Sequence, residues 1–319
     1  MGSKGRSGMR VAILAGGISD EREISFESGR NVERALREAG YGHAEIVDPG
    51  SEGFLDAIAA GAYDVAFVAL HGRGGEDGMV QSILEFLGIP YTGSDPVSSG
   101  CAMDKDLSKL LYARAGIATA PSVTFDRSTR PSIEEIVAVV GEQSFVKPVA
   151  NGSSYGISFA NCAQELDAAI DAAFACGDKV MVEQRVTGTE VTVGVLGDGP
   201  TLRALPAVEI CIPEHSEFYD LDVKYVDPSD IHRIPARLAE GDYREVQRLA
   251  CAAHEALGLF GFSRSDFIVT GKGPVILETN NIPGMTPASL FPDEAAHAGL
   301  AFGDVCAELI DLALERAAR

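Results

Sequence analysis

Arg264, Asp266, Glu278 and Asn280 interrupt an otherwise apolar stretch of chain, Phe262 to Leu290. The stretch reads as two strands around a Gly271-Lys272-Gly273 turn. Strand side chains alternate faces with period two, so Arg264, Asp266 and Ile268 share one face of the first strand. Ile276, Glu278 and Asn280 share one face of the second. A symmetric hairpin centred on Lys272 sets Asp266 opposite Glu278 and Arg264 opposite Asn280. Directly opposed residues have Cβ atoms roughly 5 Å apart. Two carboxylates that close repel unless something positive lies between them. Hard oxygen ligands beside an amide suit Mg²⁺, which takes one or two carboxylates plus substrate phosphates. The blander alternative, a surface hairpin with a salt-bridged arginine, accounts poorly for charges set among Phe267, Ile268, Val269, Val275, Ile276 and Leu277.

Lysine and glycine supply a second kind of chemistry. Lys147 lies inside the apolar strand Phe145-Val146-Lys147-Pro148, where a charge is costly unless it meets an anion. The following Gly152-Ser153-Ser154-Tyr155-Gly156 loop can wrap phosphate oxygens with backbone N–H groups and hydroxyls. It is equally readable as a surface turn, and it is no Walker loop, since no Lys-Ser/Thr follows the second glycine. Lys105 starts a helix and by itself reads as a solvated charge. Glu183 and Glu190 bracket a strand–turn–strand and by themselves read as solvated acids. G-x-G-x-x-G is absent, which disfavours a Rossmann dehydrogenase.

These residues need elements to hold them. Arg10–Leu14 and Val65–Leu70 read as buried strands, each followed by glycines and then a helix (Glu21 to Ala39, Val80 to Leu87). Strand, glycine turn and helix, repeated, imply a parallel α/β unit working at the carboxyl ends of its strands. Beyond it come a helix at 104–115, strand, helix and strand through 156, a helix at 163–175, and strands at 180–183 and 190–196. Mostly antiparallel strands follow, with helices at 243–257 and 302–317. The texture changes near 94 and 187, giving units 9–93, 94–186 and 187–319. Residues 1–8 (MGSKGRSG) read as a non-native leader, with Met9 as the native start.

Of 319 residues, 46% are hydrophobic and 23% charged, an ordinary globular balance. The formal net charge of −21 argues against nucleic acid or an anionic membrane as partner. Cysteines 101, 162, 176, 211, 251 and 306 form no C-x-x-C pair and read as reduced thiols of a cytoplasmic protein.

Eight segments in order carry a resemblance: GGISDEREISFESG, ALHGRGGEDGMVQSILEFLGIPYTG, MDKDLSK, FVKPVANGSSYGIS, VEQRVTGTEVTV, FYDLDVKYV, SRSDF and ILETNNIPGMTPASLFP. Together they resemble the D-alanine–D-alanine ligases of the ATP-grasp superfamily. The resemblance implies a three-domain α/β fold, α+β in its C-terminal part, with a parallel N-terminal α/β domain and ATP between the second and third domains. It implies joining of two D-alanines through a D-alanyl phosphate, for peptidoglycan precursors, in a homodimeric enzyme. By the same resemblance Asp266, Glu278 and Asn280 hold two Mg²⁺ ions, with Mn²⁺ as a substitute. Lys105 and Lys147 meet phosphates, and Ser153 and Ser154 belong to a loop closing over them. Glu183 lies by the adenine, with backbone from Gln184 to Val186, and Glu190 meets the ribose. Glu21 and His71 attend the first D-alanine. Arg264 and the Gly284 N–H meet the oxyanion. Ser289 and Lys224 meet the second substrate's carboxylate, and Lys224 also serves the nucleotide. A Glu21–Ser153–Tyr225 network holds a lid over 214–230, and Tyr225 favours an amine over a hydroxy acid as nucleophile. Asn151, Tyr155 and Asn281 depart from the commoner family residues. The alternatives are a paralogous ligase joining D-alanine to another amino acid or hydroxy acid, and a non-catalytic nucleotide-binding protein.

Overall fold

The computed structural model describes residues 5–150, 156–211 and 231–318. Ser153, Ser154, Lys224 and Tyr225 lie outside them. The first sheet is parallel, in the order β2-β1-β3, from β1 (Arg10–Leu14), β2 (His43–Val47) and β3 (Val65–Val68). All four β3 residues are buried, as are Val11 to Leu14, because helices cover both faces of such a sheet. The Arg22–Glu38 helix packs Val32, Ala35 and Leu36 against it.

The second sheet is antiparallel, in the order β4-β7-β5-β6: β4 (Ser122–Asp126), β5 (Ser144–Pro148), β6 (Ser158–Ala160) and β7 (Lys179–Gln184). The third is a six-stranded antiparallel sheet in the order β11-β10-β8-β12-β13, with β9 paired to β8. Its strands are β8 (Thr189–Gly197), β9 (Arg203–Ala204), β10 (Val208–Ile210), β11 (His232–Arg233), β12 (Gly261–Thr270) and β13 (Gly273–Asn280).

The β12–β13 hairpin departs from the expected symmetry. Its two-residue turn pairs Thr270 with Gly273, so Phe267 faces Ile276. A register shift between Asp266 and Phe267 then absorbs Leu277, and Asp266 faces Glu278 and Arg264 faces Asn280 as the face count required. The expectation that Ile276 shares the face of Glu278 is therefore wrong. Ile276 lies in the core with Phe267 and Val269, while Glu278 does not. The physical reason is the bulge, which turns two residues against one partner. Burying a side chain of isoleucine size is worth about 1.5–3 kcal/mol. A bulge that buries Ile276 and still points Glu278 away is favoured over a regular ladder.

The helix Lys105–Arg114 joins the two antiparallel sheets. Asp104 caps it, accepting from the N–H groups of Asp106 and Leu107 at 3.0 Å each. Lys105, Ser108 and Tyr112 are its buried residues, at the 3-4 spacing of one helix face. The Lys105 N–H donates to the Val149 carbonyl at 3.1 Å, just past β5. Tyr112 instead enters the core beneath the third sheet and donates to Thr279 on β13 at 2.8 Å.

Candidate active site between the two antiparallel sheets

Lys105, Lys109 and Tyr112 follow i, i+4, i+7, so one helix face serves both sheets. Toward the third sheet, Lys105 Nζ lies 3.6 Å from Glu278 Oε2. Toward the second, Lys109 Nζ meets Glu183 and also donates to the Ala120 carbonyl at 2.7 Å. Lys147 Nζ reaches the other oxygen of Glu183 at 2.5 Å. Glu183 is only 3% exposed, so its reading as a solvated acid is wrong. Burial works to raise its carboxyl pKa, but the charges and hydrogen bonds of Lys147 and Lys109 outweigh burial and hold it below the ordinary value. Lys109 is itself pushed down, chiefly by burial. Lys105 is 9% exposed, which likewise removes its reading as a solvated charge.

On the hairpin, Arg264 forks onto Asp266 through Nε and a terminal nitrogen, at 3.1 Å each. Thr192 on β8 also donates to Asp266. The positive charge demanded between Asp266 and Glu278 is thus supplied in this structure by Arg264 and Lys105. The β8–β12 register sets Gly194, Thr192 and Glu190 opposite Arg264, Asp266 and Ile268. Glu190 therefore shares the face of Asp266. Asn280 accepts from the Ile282 N–H at 2.9 Å, which fixes its amide beside the strand end. Among the described residues no three of His, Cys, Asp and Glu form a metal cluster. The donor set here is two carboxylates and an amide, whose hard oxygens fit Mg²⁺. Gln184 and Val186 lie at the end of β7 and just after it, with the Gln184 N–H donating to the Pro121 carbonyl at 2.9 Å.

The remaining candidates gather where the first sheet meets the segment after β13. Glu21 stands at the N-terminus of the Arg22–Glu38 helix. It lies over Gly72, where an added Cβ would come 2.7 Å from Glu21 Oε2. Gly72 also has φ +66°, a backbone that disfavours any side chain. His71 is buried, with Nε2 3.0 Å from Ser28 Oγ and Nδ1 3.9 Å from Glu76. Ser28 also accepts from the Met285 N–H at 3.3 Å, and Asn31 donates to the Met285 carbonyl at 2.7 Å. Asn281, one of the departures, donates to the Glu76 carbonyl at 3.0 Å. Gly284 sits so close to Ser289 that a Cβ would meet Ser289 Oγ at 2.6 Å. Ser289 occupies the N-cap position of the Leu290–His297 helix without a side-chain cap bond. Its hydroxyl instead lies 2.8 Å from Thr286 Oγ1.

Reading the sequence missed four residues here. Lys109 could have been found as the i+4 neighbour of Lys105. Thr192 carries no signal except its register. His232 on β11 senses Asp293 and Arg264, and burial lowers its pKa. Glu294 is fully buried, accepting from the Gly194 N–H at 2.9 Å, and burial raises its carboxyl pKa well above the ordinary value.

A parallel α/β unit followed by two antiparallel sheets, with buried lysines on one sheet and on the helix between them and paired carboxylates on the other sheet, is the ATP-grasp arrangement. The comparisons narrow this class. Residues 111–311 match the family described as "D-ala D-ala ligase C-terminus", and residues 47–94 match "D-ala D-ala ligase N-terminus". A D-alanine–D-alanine ligase of Syntrophobacter fumaroxidans is 43% identical over 309 residues, 96% of this chain and 98% of that one. One of Anaeromyxobacter dehalogenans is 45% identical over 307 residues, covering 96% and 97%. The crystal structure of the Bacillus anthracis ligase complexed with ATP superposes with a TM-score of 0.81 at 29% identity, covering 98% of this chain and 99% of that one. The chain belongs to the D-alanine–D-alanine ligase family.

Proposed function

We propose that this protein joins two D-alanine molecules, using ATP, to give D-alanyl-D-alanine, ADP and phosphate. The observation that carries this is the meeting of buried Lys105 with Glu278, opposite Asp266, on a helix whose Lys109 shares Glu183 with a second buried lysine, Lys147. Cations for phosphate and carboxylates for a metal converge there, in a chain of this family.

A carboxylate is a poor acyl donor because oxide is a poor leaving group. In the proposed first step a carboxylate oxygen of the first D-alanine bonds to the γ-phosphorus, and the bond to the ADP oxygen breaks. The amine of the second D-alanine, having lost a proton, then attacks the acyl carbon. Phosphate leaves with the bonding pair, and the amide forms. Phosphoryl transfer is catalysed mainly by positioning and charge stabilisation. Lys105 and Lys147 bind the phosphates, with Ser153 and Ser154 closing over them. Asp266, Glu278 and Asn280 hold Mg²⁺, which when bound neutralises charge on the phosphoryl oxygens. Glu183 and the backbone of Gln184 and Val186 take the adenine, and Glu190 the ribose. Glu21, lying over Gly72, takes the first ammonium, with His71 next to that glycine in the chain. Arg264 and the Gly284 N–H orient on the oxyanion, and Ser289 with Lys224 binds the second carboxylate. Glu21, Ser153 and Tyr225 hold the lid, which keeps water from the acyl phosphate.

Cytoplasmic location and a homodimer complete the proposal. No helix among the described residues is long and apolar enough to cross a membrane. The test is ADP release across D- and L-amino acids and D-lactate, with the product identified by mass. One ADP per D-alanyl-D-alanine is expected, and preferred use of D-lactate would favour the hydroxy-acid alternative.

A further inference from the structure

Lys147 is placed at a phosphate in the function proposed above, yet in this structure its ammonium is bound to Glu183. To serve a phosphate it must give up that carboxylate, wholly or in part. Glu183 is 3% exposed, and a buried carboxylate stripped of its only cation is strongly destabilising. Lys109 changes that balance. Its Nζ holds the other oxygen of Glu183 and is anchored on the Ala120 carbonyl, and its side chain is 11% exposed. Two buried ammonium groups thus share one carboxylate, an arrangement one positive charge in excess. Asp106, one turn back on the same helix, attracts Lys109 but makes no part of the shared contact.

We propose that Lys109 is a charge-balancing positioning residue: it keeps Glu183 paired, so that Lys147 can leave Glu183 for a nucleotide phosphate. Lys109 need not touch the nucleotide. Its ammonium faces the carboxylate and a backbone carbonyl, while the excess charge is delivered through Lys147. This inference rests on the nucleotide site proposed above and adds a residue to it.

Removing Lys109 locks Lys147 onto Glu183, since its departure would now strand the carboxylate. ATP dissociation constants of wild type, Lys109→Met, Lys109→Arg and the double variant Lys109→Met/Glu183→Gln, each confirmed folded by its thermal melt, test this. Lys109→Met should weaken ATP binding roughly 100-fold, the scale of a stranded buried charge. Lys109→Arg, which keeps the cation, should stay within about tenfold of wild type. The double variant should recover at least about tenfold of the loss, because without a carboxylate at 183 Lys147 is free again. A loss below about tenfold in Lys109→Met, or a double variant no better than that single one, would overturn the proposal. A directly nucleotide-binding Lys109 would not be rescued by Glu183→Gln, and a merely structural one would lower the melting temperature while leaving the ATP affinity of the folded protein within about tenfold of wild type. Lys147→Met supplies the separate check. Unchanged ATP affinity there would overturn the nucleotide site itself, and the role of Lys109 with it.

Discussion

Replacing Glu278 by Gln should separate activity from stability. The Glu278 side chain is 44% exposed and its lysine partner stands at 3.6 Å. An ion pair that long, open to solvent at its glutamate end, is worth about 1 kcal/mol, and glutamine at 278 keeps an oxygen to face the buried Lys105 ammonium. A fold of this size should therefore keep its melting temperature within about 2 °C. Activity should behave otherwise. In the proposed site Glu278 would be a metal ligand, and losing one preorganised electrostatic contact to the reacting group costs about 10²–10³ in kcat. At 1.36 kcal/mol per factor of ten, that is about 3–4 kcal/mol of barrier, against about 1 kcal/mol of folding stability from the pair with Lys105. Coupled ADP release at saturating Mg²⁺, alongside a thermal melt, measures both. A kcat within about threefold of wild type would refute the metal-ligand role. A comparable loss caused by unfolding, visible in the melt, would refute the reasoning about exposure.

Arg264→Lys should lower kcat more than ATP affinity, because one ammonium does not reproduce the guanidinium fork now seen on Asp266; equal losses in steady-state kinetics and ATP titration would count against an oxyanion role. Gly72→Ala should raise KM for the first D-alanine more than for ATP, since the new methyl meets Glu21 and the left-handed backbone adds about 1 kcal/mol of strain; unchanged KM values would remove Glu21 from the substrate site. Glu294→Gln should gain stability relative to wild type as pH rises. The folded pKa of Glu294 lies above the unfolded value of 4.5, so wild type takes up a proton on folding and loses stability above that pH, by up to about 1.4 kcal/mol per unit, until the folded pKa is reached; parallel denaturant-derived curves from pH 5 to 8 would contradict it. Tyr225→Phe should increase D-lactate use relative to D-alanine, and an unchanged product ratio would refute the lid network.

The chemistry of the hairpin was legible because pairing across two strands is arithmetic. Asp266 faces Glu278 because the bulge restores the count that the two-residue turn shifts by one. What the count could not contain was the bulge itself, which depends on the core beneath Ile276 and so moved that residue to the other face. Lys105 and Glu183 failed as isolated residues for a related reason. A charge looks solvated until its partner arrives, and their partners are 173 and 36 positions away in chain order. Only resemblance to the family placed them in the site. Lys109 was within reach of helical periodicity, since i and i+4 share a face. Glu294 was not, because its burial comes from a helix lying on Gly194, with no local pattern to announce it.

The claim at the centre is that this site activates a carboxylate by phosphorylating it. D-alanine labelled with ¹⁸O in its carboxyl group, turned over with unlabelled ATP, tests that directly through the mass of the released phosphate. If an acyl phosphate forms, each phosphate carries one ¹⁸O from the first D-alanine. Phosphate free of ¹⁸O, with dipeptide still formed, would contradict it.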